Sequence, residues 1–206
     1  MKELAFNMVR FTAFTTAIAL HGCVSLSAED DISKWTTHKA TSNEYKVSYK
    51  LPPRAKYIVA PNSKIADNYT SDFTTIVAAG YEFHSIGYYP SKFEISINDV
   101  KYLQPFEQHP TFRDLSKYFN DAHNRRAEIS LAKLDELDVL KIEYNDISMI
   151  YSYIVPINNE RFLAFRGRLN NFTGKLLDTK NEWVRSRINL FGKFIQTVDI
   201  ELKSSP

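Results

Sequence analysis

Apolar and polar residues alternate from residue 45 onward: Tyr45, Val47, Tyr49 and Leu51 are interleaved with Lys46, Ser48 and Lys50. A period of two predicts a half-buried strand. Pro52-Pro53 ends it, because proline donates no ladder hydrogen bond. Tyr57 to Tyr89 is the least regular part of the chain, rich in Tyr, Phe, Thr and Ala and poor in charge. The β-favouring run Thr74-Thr75-Ile76-Val77 predicts a strand within 73–84, with Asn62-Ser63 and Gly87 as loop positions. Phe93, Ile95 and Ile97 alternate with Glu94, Ser96 and Asn98, a second clear strand expected to end near Asn98-Asp99. Pro110-Thr111 then opens a helix. Thr111 and Asp114 have capping-box spacing, and Phe112, Leu115, Tyr118, Phe119 and Ala122 fall on one helical face. That helix is expected to fray by Asn124-Arg125-Arg126.

A meander follows. Ile129 and Leu131 predict one strand, Leu140, Ile142 and Tyr144 a stronger one, and Met149 to Val155 a strand covered on both faces. Asn145-Asp146 is a turn signal. Asn158-Asn159 predicts a hairpin, since Asn tolerates positive φ, and Phe162 to Gly167 returns as the next strand. Thr179 with Glu182 repeats the capping-box spacing. Val184, Ile188, Phe191, Ile195 and Val198 then recur at strides of four and three, widened by Trp183, Leu190 and Phe194, which predicts a long amphipathic helix. Val198, Ile200 and Leu202 read as a short terminal strand. The fold class expected is α+β: an antiparallel sheet with one medium helix and one long C-terminal helix packed on it. Over residues 45–203 this order resembles the PsbP-like fold, most closely over Leu137 to Gln196, where a meander runs into a helix leading to FGKFIQTVDIEL. The resemblance implies a binding module or accessory protein rather than an enzyme, by analogy of fold alone.

The N-terminal stretch has a different pattern. Lys2 and Arg10 form a basic leader, Phe11 to Leu20 an apolar run, and the only cysteine of the chain, Cys23, follows directly. A membrane-spanning helix needs roughly twenty apolar residues; a run of half that length behind a charged leader is a targeting segment. Leu20, Gly22 and Cys23 resemble the signal of bacterial lipoproteins, with His21 where a small residue is usual. The resemblance implies cleavage before Cys23, diacylation of its thiol and a domain tethered to the cell envelope, facing the periplasm. Val24 after the cysteine, rather than Asp, implies the outer membrane by enteric sorting rules. Each buried CH₂ of such an anchor contributes about 0.8 kcal/mol. Three other readings stay open: ordinary secretion with cleavage after Ser27, a true start at Met8, and a buried apolar helix of a cytoplasmic domain. The domain plan is then a signal peptide over 1–22, a lipidated N-terminus and polar tether over 23–43, and one globular domain over 44–206.

Composition narrows the chemistry. Of 26 basic and 24 acidic residues, the leader holds Lys2, Arg10 and Glu3, leaving 24 against 23, a balance of +1. Such a domain has no field to attract nucleic acid. With no cysteine after Cys23, no disulfide, thiolate nucleophile or thiolate metal site is available. None of the six glycines forms a phosphate loop or GxGxxG. No GxSxG elbow and no HExxH occurs. His38, His84, His109 and His123 lack metal-ligand spacing. The expectation is therefore no enzyme, no cofactor and no metal, with an envelope hydrolase lacking a motif as one alternative and a small-molecule or lipid-binding accessory protein as another.

Recognition residues remain. The chain has 12 Tyr and 14 Phe. The bland explanation is a β-sheet core; the sharper one is a binding face, where Tyr is enriched. Basic pairs stand at Arg125-Arg126, Arg166 with Arg168, and Arg185 with Arg187, most simply a solvated surface. Arg166 and Arg168, on one face of a strand beside Phe165, are the strongest candidates for an acidic partner surface, joined by Tyr81, Tyr88 and Tyr89 from the aromatic segment. The function expected is a membrane-anchored, non-catalytic module that binds a protein, for example an immunity protein neutralising a secreted antibacterial effector.

Overall fold

The computed structural model describes residues 31–61, 72–86, 89–122, 127–145, 148–170 and 177–203, with the backbone alone for 82–86, 89–91 and 122. Two antiparallel sheets and two helices make an α+β fold, as the pattern predicts. The small sheet has the order β1-β2-β10, from β1 (Thr36–Thr41), β2 (Tyr45–Leu51) and β10 (Asp199–Leu202). The large sheet has the order β3-β4-β5-β9-β8-β7-β6. Its strands are β3 (Lys56–Val59), β4 (Phe73–Ile86), β5 (Tyr89–Lys101), β6 (Glu128–Leu134), β7 (Leu137–Asn145), β8 (Ser148–Pro156) and β9 (Arg161–Asn170). Helix α1 (Phe112–Ala122) connects β5 to β6, and helix α2 (Glu182–Gln196) connects β9 to β10.

Alternation decides which layer each residue joins. Tyr45, Val47, Tyr49 and Leu51 of β2 are buried against Phe93, Ile95 and Ile97 of β5, Leu163, Phe165 and Leu169 of β9, and Val184, Leu190, Phe191 and Phe194 of α2. The small sheet and α2 therefore cover one face of the large sheet. On the other face a smaller core joins Leu115 and Phe119 of α1 to Leu140, Ile142, Ile154, Phe162, Ala164 and Tyr102. Close approach of α2 requires Gly167 on β9, where a Cβ would lie 2.6 Å from Cγ of Phe191.

The two sheets are tied by a buried polar knot. Arg161 Nε donates to Asp99 Oδ1 at 2.8 Å, and the Tyr45 hydroxyl donates to Asp99 Oδ2 at 2.9 Å. Asp99 and Tyr45 are fully buried and Arg161 nearly so. Strand β2 is thus pinned to β5 and β9 by one carboxylate. Beside the knot, Glu44 accepts from the Asn158 side-chain amide. Burial raises the Glu44 carboxyl above its ordinary value, and the nearby Asp99 charge adds to that.

Several elements differ from the pattern-based expectation. The presumed tether contains a 3-10 turn at Ile32–Lys34, the buried Trp35, and β1, which pairs with β2 along its length. Its threonines favour strands, but on an edge strand with a single buried position no alternation marks it. Residues 32–41 therefore take part in the described fold. Strand β5 runs through Asn98-Asp99 to Lys101, because Asp99 is paired in the core and not a turn residue. Where described, the 57–89 segment is regular: β3 pairs with β4, and β4 pairs with β5 from Phe73 to Ile86. Asn158 shapes its hairpin through its side chain, Oδ1 accepting from the backbone N–H of Glu160 and Arg161. Positive φ occurs instead at Arg54 and at Asp135, the latter in the β6–β7 turn. Helix α2 is capped by Asn181, whose Oδ1 accepts from Trp183 and Val184 N–H, in place of Thr179. The Thr111–Asp114 box at α1 forms as the spacing predicts, with Asp114 N–H donating to Thr111 Oγ1 at 3.3 Å and Thr111 N–H to Asp114 Oδ2 at 2.9 Å. Asn62-Ser63, Gly87, Asp146 and Asn124-Arg125-Arg126 lie outside the described residues.

Removing one partner of the knot strands a buried charge, which costs about 3–5 kcal/mol. Arg161→Met should therefore lower the denaturant midpoint far more than Tyr45→Phe, which removes one hydrogen bond to a charged group worth about 1.5–3 kcal/mol; urea melts of the three proteins check the order. Gly167→Ala should destabilise by about 1–3 kcal/mol through overpacking against Phe191, and a paired Gly167→Ala/Phe191→Leu melt should recover part of the loss.

Candidate functional site: the open half of the large sheet

Even-numbered residues of β9 point away from α2. Phe162 and Ala164 lie under α1, and the next two positions on that face are Arg166 and Arg168. Ladder register places Arg166 between Ser96 of β5 and Ser152 of β8, and Arg168 between Glu94 and Ile150. The face therefore grades along the strands. Under α1 it is apolar and buried. At Arg166 it is polar but still enclosed, with Ser96 and Ser152 each 5% exposed. Beyond, it is open among the described residues, carried by the exposed Lys92 and Arg168 and the half-buried Glu94, Ile150 and Tyr144.

Arg166 is the unusual member. Its Nε is shut off from solvent, and no hydrogen bond satisfies it. Burial pushes its guanidinium below the ordinary arginine value, Arg168 pushes the same way, and Glu94 opposes them. Its neighbourhood is oriented: Thr75 Oγ1 donates to Asn98 Oδ1 at 3.1 Å, and Asn98 Nδ2 donates to Ser96 Oγ at 3.2 Å. Arg166 and Arg168 do share one strand face, as their spacing predicts. Ser96 and Ser152 were not identifiable from the sequence. Each stands at a polar position of its own strand, and only the pairing register sets both beside Arg166.

The tyrosine candidates separate. Tyr81 is 2% exposed in the main core, its hydroxyl donating to the Pro52 carbonyl at 3.3 Å, so it offers no free surface. Its position on β4 faces the small sheet rather than solvent, which an aromatic count cannot reveal. Tyr89 lies on β5 with only its backbone described, and Tyr88 and Cys23 lie outside the described residues. Arg187, from another basic pair, is buried in α2.

Concavities lie elsewhere among the described residues. One, of about 490 Å³, runs between α2 and strands β7 and β8; Tyr151 and Tyr153 form part of its wall, and Lys141 bridges Glu143 at 2.6 Å. Another, of about 420 Å³, lies beside α1 at Leu103, Phe106 and Tyr118. Among the described residues, no group of three or more His, Cys, Asp or Glu side chains could hold a metal ion. Among them, too, no helix is long and apolar enough to cross a membrane. His38 sits near the Tyr57 hydroxyl, His109 is exposed, and His123 lies outside the described residues. No family model, curated protein or solved structure matches the chain. The likeness to the PsbP-like fold thus rests on element order alone.

Tyr81→Phe should cost about 1 kcal/mol, the worth of one buried neutral hydrogen bond, and leave the surface charge unchanged. Thermal melts beside a binding assay check this; a loss of binding at unchanged stability would place Tyr81 in a recognition surface after all.

Proposed function

We propose that the protein is a non-catalytic recognition module, lipid-anchored through Cys23 and facing the periplasm, that binds another protein through the open half of its large sheet. The single observation that supports this most is the half-buried Arg166, its Nε enclosed and unbonded, beside the exposed Arg168 on a sheet face left open among the described residues. A partner that presents acidic side chains complements that face; electrostatic complementarity of this kind sets partner choice and encounter rate. The basic leader, short apolar run and Cys23 support the anchor. An immunity protein that neutralises a secreted antibacterial effector is the concrete form of this reading, since such a role needs a rigid, anchored surface and no reaction. The groove beneath α2, with tyrosine walls and a charged rim, favours a second reading, an envelope protein that binds a small amphiphile.

Cells that express the full chain and grow on labelled palmitate should incorporate label, and Cys23→Ser should abolish it. Affinity capture from envelope extract should retain a protein that Arg168→Glu loses and Lys46→Glu, on the far small sheet, keeps. Absence of label overturns the anchor, and capture indifferent to Arg168 overturns the recognition face.

A further inference from the structure

We infer that Arg166, Ser96 and Ser152 form a carboxylate-binding subsite that receives one acidic side chain of a protein partner. The inference rests on the reading of this half-face as the recognition surface and names the chemistry at its centre. A charge withdrawn in part from water is ordinarily paired, because the lost hydration must be replaced, and Arg166 is half-buried with its Nε shut off from solvent. Arg166 has no bridge, although Glu94 stands on the same face of the adjacent strand, one register position further out. The fold thus places an acid within electrostatic range and does not close it onto the guanidinium.

The neighbours are set to donate. Thr75 and Asn98 are joined so that the Asn98 amide hydrogen points at Ser96 Oγ. Ser96 Oγ is already an acceptor there, which leaves its own O–H for another oxygen. On the other side of Arg166, Ser152 offers a second hydroxyl at the matching register position. Arg166 and the two flanking serines stand at matching register positions on three adjacent strands of a rigid sheet, and the Nη end of the half-buried Arg166, not its enclosed Nε, is the part an incoming group can reach. A planar oxyanion is the group that such donors fit, and arginine binds it with a fork geometry. Glu94 on the same face disfavours a second negative charge, which selects a carboxylate over a phosphate dianion. Arg168, exposed one step outward, is the charge that an approaching acid meets first.

The subsite should leave an energetic signature in the free protein. An unpaired guanidinium held for a partner destabilises the fold that carries it. In thermal melts of the full chain in detergent micelles at constant ionic strength, Arg166→Met should melt higher than wild type by about 2–4 °C, the shift that about 1 kcal/mol produces in a domain of this size. Acetate should raise the wild-type midpoint saturably above its chloride control, as binding to the folded state alone requires. Arg166→Met should lose that response, Arg166→Lys should keep less than half of it, and Ser96→Ala/Ser152→Ala should weaken apparent acetate affinity several-fold. A blocked Gly-Glu-Gly peptide should act like acetate and blocked Gly-Gln-Gly should not. Equal acetate responses in wild type and Arg166→Met overturn the subsite, as does a fall in melting temperature for Arg166→Met together with an unaltered response in Arg166→Lys. A stronger, Arg166-dependent response to phosphate overturns the choice of carboxylate. An intact acetate response without any Arg168-dependent protein partner overturns only the protein as its source and leaves the anion site standing.

Discussion

One carboxylate, that of Asp99, holds the two sheets to each other. It lies on β5 with no exposure to solvent, takes Arg161 from β9 and accepts the hydroxyl of Tyr45 from β2. Apolar packing between β2 and the large sheet is non-directional and tolerates sliding by itself. The knot does not tolerate it: a shift of β2 by one residue would turn Tyr45 to the other face and leave a charge unsolvated. Its specificity follows from the cost of breaking it rather than from a large net gain in stability.

Strand β9 links that core to the candidate site. Its odd residues, Arg161, Leu163, Phe165, Gly167 and Leu169, belong to the layer beneath the small sheet and α2; its even residues run from Phe162 under α1 to Arg168 in the open. Phe191 of α2 sits against Gly167 from one side while Arg166 emerges on the other. A recognition residue built on the central strand of a seven-stranded sheet, hydrogen-bonded to neighbours on both sides, is held more firmly than one on a loop. That rigidity is what a preformed subsite needs to bind without ordering cost.

Strong alternation and helical stripes were legible because they report burial directly. The β2 pattern, the meander of β7, β8 and β9, the α1 capping box and the α2 stripe each follow from periods of two or three to four residues. Strands β1 and β3 left no such trace, since edge strands with exposed side chains have nothing to alternate. Asn98-Asp99 looked like a stop because acids are rarely fully buried, and only their partner on β9, 62 residues away, explains why the strand continues. Tyr81 was credible as a surface residue for the same reason in reverse: a tyrosine in an irregular segment carries no sign of which face it takes.

By itself the sequence determined the α+β class, the two helices, most of the strands and the inward set of β2, because these are local consequences of period and turn chemistry. It also carried the whole argument for an anchor at Cys23. The tertiary structure alone decided the order of strands in the large sheet, the Asp99–Arg161–Tyr45 knot and the placement of Ser96 and Ser152 on either side of Arg166. Those depend on pairing between distant segments, and register is a property of the sheet that no single strand contains.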